Sequence, residues 1–232
     1  RMINDGLFDK YPCDAIFSMH NMLGWPQRHL IFREGSMMAS SDKVYITLVG
    51  HGGHGAVPHK TADPVVAAAS LVMALQTVVS RNVDPLQTAV VTVGVLQSGR
   101  ANNVIPDSAH LELSVRALDP EVRSLLQQRI TEIAHAQAQS FGVKAEIDYR
   151  RGYAALVNSK DETDFARQIG TELVGAERVV PQAPPLTGSE DFAFMLEKCP
   201  GSYLLIGNGD GDKLGACMVH NPGYDFNDAN LA

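Results

Sequence analysis

One stretch organises the chain, and it joins a β-type run to a loop of glycines and histidines: Val44-Tyr45-Ile46-Thr47-Leu48-Val49-Gly50-His51-Gly52-Gly53-His54-Gly55-Ala56-Val57-Pro58-His59. Glycine permits left-handed turns and a close approach of the backbone to a ligand, and histidine changes its charge near neutral pH. A loop of this kind is suited to presenting imidazole rings to a ligand. The alternative is a flexible loop whose histidines are merely exposed.

Regular elements surround this loop. Thr61-Ala62-Asp63-Pro64 follows it and opens a helix, since proline is tolerated in a first helical turn. Alternation and β-branched residues predict the other elements. In chain order they are a strand at 43–50, a helix at 63–79, strands at 88–96 and 108–118, a helix from 119 to 140 and a strand at 143–150. This order is the split βαβ, or ferredoxin-like, arrangement, and it predicts an independent module at residues 39–150.

The flanking residues have the pattern of an α/β domain that the module interrupts. We predict strands at 14–19, ending at His20, and at 30–33, with a turn at 34–36. The predicted elements after residue 151 are a helix at 161–174, an extended passage at 179–186, a short helix capped by 188–191 and running through 197, and strands at 202–207 and 217–220. Both ends of the chain read as interrupted helices, so we expect an internal fragment of a longer protein.

Length and composition limit the classes of function. The 232 residues suffice for two domains, and 45% hydrophobic against 19% charged residues permit a folded core. A net charge of -7 without a long basic block argues against a nucleic-acid partner. No apolar run approaches the roughly 20 residues that span a bilayer, so we expect no membrane partner. The three cysteines form no C-x-x-C pair, so we expect no disulfide framework and a reducing cytoplasm.

Two histidines follow predicted strands of the α/β domain. His20 and His220 each occupy the carboxyl end of a strand, where α/β sheets bind their ligands. Neutral imidazole is a common ligand of zinc, nickel and cobalt, so the two rings could share a metal ion. A closed zinc site needs about four ligands, and the alternative is that each ring only pairs with a neighbouring carbonyl. Cys217 reads as a small buried residue rather than as a further ligand.

Two other groups of polar residues bear on binding. Ser189-Glu190-Asp191-Phe192 places two carboxylates at a helix start, where capping is a sufficient explanation unless the helix faces a cleft. Asn103 lies in the loop that joins two strands of the module, and Arg116 lies on the next strand. Their amide and guanidinium groups suit a carboxylate or a carbonyl group. The sequence has neither a nucleophile elbow nor a P-loop.

Four motifs occur in a fixed order: Gly50-x-Gly-Gly-His54-x-x-x-Pro58-His59, Asn103-Val-Ile-Pro-Asp, Gly188-Ser-Glu-Asp-Phe and His220-x-Pro. The ordered set resembles the metal-dependent amidohydrolases and carboxypeptidases that include hippurate hydrolase, N-acyl-L-amino-acid amidohydrolase and the plant indole-acetyl-amino-acid hydrolases, and the resemblance extends over essentially the whole chain. It implies an α/β fold with a zinc-peptidase-like catalytic domain, here incomplete, at 1–38 and 151–232. A ferredoxin-like α+β lid and dimerisation domain at 39–150 would interrupt that domain.

The resemblance also implies a site with two divalent metal ions, zinc foremost, with manganese, nickel or cobalt as alternatives. His20 and His220 match metal ligands of that site. His54 matches a catalytic lid histidine, which reaches into the partner subunit's site of a homodimer and steadies the tetrahedral intermediate. The implied substrate-binding residues are Asn103, Arg116, which would hold the carboxylate of the substrate, Gly188 and Glu190.

The chain also departs from the family pattern. It lacks the Cys-x-His-Asp metal motif and the Glu-Glu pair that carries the general base, both of which relatives have upstream of the segment like residues 2–7. His51 replaces the usual lysine, and Asn227-Asp228 replaces a commoner Asp-Glu. We predict that the parent protein hydrolyses the amide bond of N-acyl amino acids such as hippurate. The alternatives are a carboxypeptidase that acts on short peptides or dipeptides, and a non-catalytic binding or dimerisation protein.

Overall fold

A computed structural model describes residues 2–209 and 219–231 of the chain. Its strands are β1 (Ile16–Leu23), β2 (Leu30–Ile31), β3 (Gly35–Met38), β4 (Ser41–Val49), β5 (Gly53–His54), β6 (Ala89–Ser98), β7 (Val104–Ile105), β8 (Ser108–Ala117), β9 (Lys144–Tyr153), β10 (Leu156–Asn158), β11 (Val179–Val180) and β12 (Gly201–Gly209). Its α-helices are α1 (Leu7–Lys10), α2 (Pro64–Asn82), α3 (Pro120–Ser140), α4 (Lys160–Val174) and α5 (Ala193–Leu196), with short 3₁₀ helices at Pro58–Lys60, Ala176–Arg178 and Asp228–Asn230.

The chain divides into two compact units. The first unit comprises Arg1–Met38, Leu156–Leu186 and Glu190–Ala232, and the second unit comprises Ala39–Ala155 and Thr187–Ser189. The assignment of these units as a catalytic domain and a lid stays a prediction.

The second unit is a four-stranded antiparallel sheet with two helices. Its elements follow one another as β4, α2, β6, β8, α3 and β9, which is the order predicted from the sequence. The strand order across the sheet is β6-β8-β4-β9. Strand β9 continues beyond the predicted end at residue 150, because its ladder with β4 extends to the pair of Tyr153 with Ser41.

Alternation in β4 and helical spacing in α2 and α3 produce the core of the second unit. Val44, Ile46 and Leu48 of β4 are completely buried, because side chains at period two share one face of a strand. Helix α3 buries every fourth residue, namely Val122, Leu126, Ile130, Ala134 and Ala138. Full burial of one large aliphatic side chain contributes about 1.5–3 kcal/mol, so this cluster is the main source of stability in the unit.

Both long helices of the second unit begin with an aspartate that precedes a proline. Asp63 accepts a hydrogen bond from the Val65 N–H at 2.8 Å, and Asp119 accepts one from the Glu121 N–H at 2.7 Å. Each aspartate thereby satisfies an amide that has no partner within the helix. Helix α2 is also long and apolar enough to cross a membrane by length and composition, with a mean hydropathy of 1.4. The sequence prediction missed this property, but α2 supplies side chains to the core described above.

A buried carboxylate joins three elements of the second unit. Asp42 on β4 is only 1% exposed. Its oxygens accept hydrogen bonds from Arg123 Nε at 3.0 Å and Nη2 at 2.5 Å, from Tyr149 Oη at 3.1 Å and from the Gly152 N–H at 3.1 Å. Burial raises the pKa of Tyr149, and the charge of Asp42 raises it further. Sequence reasoning did not single out this aspartate.

The first unit contains a mixed sheet with the strand order β1-β12-β2-β11, in which β1 and β12 are parallel. The prediction that the first strand ends at His20 is wrong, because β1 runs to Leu23. Its ladder with β12 continues past His20, through a bulge between Met22 and Leu23, to Gly209. The apolar run on which the prediction relied ends earlier than the backbone pairing does.

The structure of the first unit also differs from two other predictions, a turn at 34–36 and a strand at 217–220. The turn expected at 34–36 is shorter than predicted, because the chain bends at Glu34 and Gly35, with φ 77°, already begins β3 and pairs with Asn158 of β10. Of the strand expected at 217–220, the first two residues lie outside the described part of the chain. His220, the last residue of that expected strand, is described and lies in a turn.

We predict that Asp42→Ala lowers the free energy of unfolding by about 3–5 kcal/mol, because it leaves the Arg123 guanidinium without its partner in a largely buried position. Urea denaturation measures the loss. The matched control is Glu146→Ala, which removes an exposed pair with Lys144 at 2.7 Å and should cost less than about 1 kcal/mol. Equal losses in the two variants would contradict the assignment of Asp42 as a structural anchor.

Candidate functional site

The glycine- and histidine-rich loop of the second unit is held against the loop that contains Asn103. Strands β5 and β7 form a short antiparallel pair in which His54 lies opposite Val104. The Gly55 N–H donates a hydrogen bond to the carbonyl oxygen of Asn103 at 2.8 Å. The structure therefore brings together two of the residues predicted from the sequence, His54 and Asn103.

The glycines of this loop are needed for close contact between backbone segments. A Cβ atom on Gly50 would lie 2.2 Å from the carbonyl oxygen of Ala62, and one on Gly52 would lie 2.4 Å from that of Ile105. Neither glycine has a positive φ, so the left-handed turns that glycine permits are not used at these positions. Asp107 completes the contact, since its carboxylate accepts from the Gly52 N–H at 2.9 Å.

The exposed ring of His54 has a defined donor side. Its Nδ1 accepts a hydrogen bond from the Ala56 N–H at 3.1 Å. A nitrogen that accepts carries no proton, so the neutral ring carries its proton on Nε2. No described residue accepts a hydrogen bond from that Nε2, which leaves an N–H donor available on the exposed ring.

Arg116 lies at the other end of the second unit's sheet. The His54 loop leaves β4 where Val49 pairs with Ser108, and Arg116 lies eight residues further along β8 (108 to 116). At a rise of about 3.3 Å per residue, this separation is about 26 Å. Arg116 Nη1 donates to the carbonyl oxygen of Thr187 at 2.9 Å.

The neighbourhood of Arg116 within the second unit is partly cationic. Arg116, Lys43 and Ser114 line a cavity of about 310 Å³ on the sheet, together with Glu112. Gly188 also belongs to this unit, and its carbonyl oxygen accepts from the Ala39 N–H at 2.8 Å. The substrate-binding roles predicted for Arg116 and Gly188 stay predictions.

His20 of the first unit has the opposite arrangement to His54. Its Nδ1 lies 2.6 Å from the carbonyl oxygen of Asn21. A carbonyl oxygen only accepts, so the neutral His20 ring carries its proton on Nδ1, and its Nε2 has a lone pair that no described residue engages. A metal-binding histidine typically has this arrangement, with its second nitrogen donating to a carbonyl or carboxylate oxygen.

A buried polar atom next to His20 lacks a partner. The side-chain Nδ2 of Asn21 is buried and makes no hydrogen bond to any described residue. Unpaired buried donors are uncommon, because each costs free energy comparable to a lost hydrogen bond. The end of β1 therefore fits the presence of a further polar group that the described residues do not supply.

His220 is exposed and has a left-handed backbone, with φ 66°. This conformation costs a residue other than glycine roughly 1–2 kcal/mol. Within residues 2–209 and 219–231, no group of three or more His, Cys, Asp or Glu side chains is placed to hold a metal ion. His20 and His220 thus supply at most part of a metal site, and Cys217 lies outside the described residues.

Glu190 is anchored to β12 rather than serving as a helix cap. Its Oε2 accepts from Tyr203 Oη at 2.9 Å, and its Oε1 accepts from the Asp191 N–H at 2.9 Å. Helix α5 begins after Phe192 without a side-chain cap, so the capping explanation is wrong. Burial and then Glu190 raise the pKa of Tyr203, and burial and then Glu190 also raise the pKa of Asp191.

Asn158 binds the backbone of Tyr203, the residue whose hydroxyl group contacts Glu190. Its Oδ1 accepts from the Tyr203 N–H at 2.7 Å, and its Nδ2 donates to the carbonyl oxygens of Tyr203 and Arg33, both at 2.8 Å. Sequence reasoning missed Tyr203 and Asn158. No local motif marks them, because their partners lie in other strands and loops of the unit.

Residues 1–232 match the sequence model of Peptidase family M20/M25/M40. The chain belongs to this family. It is 40% identical over 231 residues to hippurate hydrolase of Campylobacter jejuni, covering 100% of this chain and 59% of that protein. It is 37% identical over 231 residues to N-acetyl-L-cysteine deacetylase of Bacillus subtilis, covering 100% of this chain and 53% of that protein. The chain thus spans between half and three fifths of these curated relatives.

Solved structures of the family share the fold. A putative aminohydrolase from methicillin-resistant Staphylococcus aureus matches with a TM-score of 0.87 and 28% identity, over 99% of this chain and 57% of that one. A dinuclear metal-binding peptidase of the same family from Bacillus subtilis matches with a TM-score of 0.80 and 26% identity, over 99% of this chain and 56% of that one. The predicted membership of a metal-dependent amidohydrolase and carboxypeptidase family is confirmed.

We predict that His20 and His54 are opposite neutral tautomers. At about pH 9, well above the ordinary imidazole pKa, long-range proton–nitrogen NMR spectra should show the proton of His20 on Nδ1 and that of His54 on Nε2. The variants His20→Gln and His54→Gln assign the two sets of signals. The same tautomer at both positions would contradict the hydrogen bonding described above.

Proposed function

We propose that the parent protein of this chain hydrolyses the amide bond of N-acyl amino acids, with hippurate-like substrates foremost. One observation carries the proposal. In a chain of this peptidase family, His20 presents a free lone pair, as a metal ligand must, while His54 presents an N–H donor, as a stabiliser of negative charge must. The 40% identity with a hippurate hydrolase and the 37% identity with an N-acetyl-L-cysteine deacetylase support an N-acyl amino acid as the substrate.

The proposed site holds two divalent metal ions, as the Bacillus subtilis dinuclear peptidase does. Zinc is the first candidate, with manganese, nickel and cobalt as alternatives, because imidazole binds all of them. Such ions polarise the scissile carbonyl and lower the pKa of a bound water toward about 7. In this chain His20 would bind through Nε2 while the Asn21 carbonyl orients its ring, and His220 would be a second ligand. The other ligands and the general base lie elsewhere in the parent protein.

His54 acts as the oxyanion donor in this proposal. Hydrolysis of an amide passes through a tetrahedral species whose oxygen carries negative charge, and a preoriented N–H stabilises that charge more strongly than it stabilises the substrate. The Ala56 amide fixes the proton of His54 on Nε2, so the donor is in place before reaction. Asn103, held beside it, and Glu190 complete the substrate contacts, while Arg116 binds the carboxylate of the substrate.

We propose that the second unit is a ferredoxin-like lid and that the protein is a homodimer through it. The strand order β6-β8-β4-β9 supports the first part. The second part rests on the separation of about 26 Å along β8 between Arg116 and the end of the sheet at which the His54 loop leaves. A hippurate-sized substrate does not span that distance, so in this proposal a second copy supplies one of the two groups. We also propose that the protein is located in the cytoplasm.

We predict that His54→Ala in the full-length protein lowers kcat for hippurate about 10²–10³-fold with little change in KM, because the donor acts chiefly in the transition state. Steady-state kinetics measures both constants. The control is His59→Ala, an exposed histidine of the same region, which should leave kcat unchanged. A His54→Ala enzyme within a few-fold of the parent would overturn the role.

A mixture of inactive variants tests the dimer. Equal amounts of His54→Ala and Arg116→Ala subunits, exchanged to equilibrium, should recover about a quarter of the parent activity, because half of the dimers then have one intact composite site. No recovery in a mixture that has exchanged subunits would show that both groups serve the site of their own chain.

The absence of a metal-ligand cluster in the described residues favours a second candidate for the isolated chain, namely binding or pairing without catalysis. We predict that the 232-residue chain shows no hydrolysis of hippurate or of dipeptides with added zinc, manganese or nickel, while the full-length protein does. The dipeptide assay also separates the carboxypeptidase alternative. Clear turnover by the isolated chain would contradict the prediction.

A further inference from the structure

Two cysteines of the first unit lie next to each other although they are far apart in sequence. The Sγ atoms of Cys13 and Cys199 are 3.9 Å apart, and Cys199 Sγ also donates toward the Cys13 carbonyl oxygen at 3.5 Å. A disulfide requires an S–S distance of about 2.05 Å. The two sulfurs would therefore have to approach each other by about 1.9 Å, from 3.9 Å to about 2.05 Å.

The parallel pairing of β1 with β12 sets this geometry. Ile16 pairs with Gly201, and the Ile16 N–H donates to the carbonyl oxygen of Pro200 at 3.0 Å. Cys13 lies three residues before the start of β1 at Ile16, and Cys199 lies two residues before the start of β12 at Gly201. Their proximity is therefore a property of the strand register and not of two independent loops.

The two thiols differ in access. Cys13 is exposed, whereas Cys199 is only 5% exposed. Burial raises the pKa of the Cys199 thiol, and the contact with Cys13 raises it further. A reagent from solvent thus meets Cys13 first. The Cys199 sulfur lies next to Cys13, where it can attack the product that Cys13 forms.

We propose that Cys13 and Cys199 form a reversible disulfide when the protein meets a disulfide oxidant such as glutathione disulfide. The Cys13 thiolate attacks one glutathione sulfur, the glutathione S–S bond breaks, and one glutathione leaves with the electron pair. Cys199 then attacks the sulfur of Cys13 in the mixed disulfide, and the second glutathione leaves. The two thiol protons end on the two glutathiones, so one glutathione disulfide is reduced for each protein disulfide formed.

The bond would join the starts of two neighbouring strands and close a loop of 186 residues. Closing a long loop restricts the unfolded chain and raises stability. The inference does not depend on the proposed hydrolase activity. It also differs from a permanent disulfide framework, which the sequence does not lead us to expect, since the bond forms only under oxidation.

The test is to equilibrate the chain in glutathione buffers from reducing to oxidising. Three titratable thiols should fall to one, and peptide mapping without reduction should link Cys13 to Cys199. The melting temperature should rise by about 5 °C or more on oxidation. The control Cys217→Ser should keep both the link and the rise, and Cys13→Ser, an exposed change, should abolish both. Retention of three thiols in the oxidising buffer, or a link through Cys217, would overturn the proposal.

Discussion

Strand β4 lies between β8 and β9, and its register with both neighbours determines what the second unit presents to solvent and to its core. Ile46 pairs with Leu111 on one side and with Ile147 on the other, so apolar side chains of all three strands face the helices together. A slip of one residue would turn this whole set outward. The same alternation places Asp42 on the inward face. Its carboxylate is buried as a consequence of the register, and Arg123 is the partner that makes that burial tolerable.

The chemical character of the candidate site follows from single backbone groups near each imidazole. An amide faces Nδ1 of His54, and a carbonyl faces Nδ1 of His20. An amide N–H only donates and a carbonyl oxygen only accepts. In the neutral rings, Nε2 of His54 is therefore a donor and Nε2 of His20 is an acceptor. Gly52 contributes to this outcome indirectly, since its missing Cβ lets the His54 loop lie against the β7 segment. The difference in hydrogen-bonding character between the two histidines thus follows from local backbone geometry.

Features that depend on neighbouring residues could be predicted from the sequence, and features that depend on distant partners could not. The Asp-Pro starts at Asp63 and Asp119 and the element order of the second unit are local, so patterns reveal them. The extension of β1 past His20 depends on β12, which lies more than 180 residues away in the chain. The contact of Glu190 with Tyr203 likewise joins a loop to a strand interior. No periodicity encodes such partners, so the sequence suggested a helix cap there instead.

His20 and His220 also differ in how much of their geometry is already set. The ring of His20 is oriented by the carbonyl of the next residue, so its direction does not depend on other ligands being present. His220 lies exposed in a turn with a left-handed backbone, which costs free energy that something else must offset. A ligand that is already oriented loses less conformational entropy on binding than one that must be ordered. Of the two histidines proposed as metal ligands, His20 is therefore the one whose ring is already oriented by its own backbone.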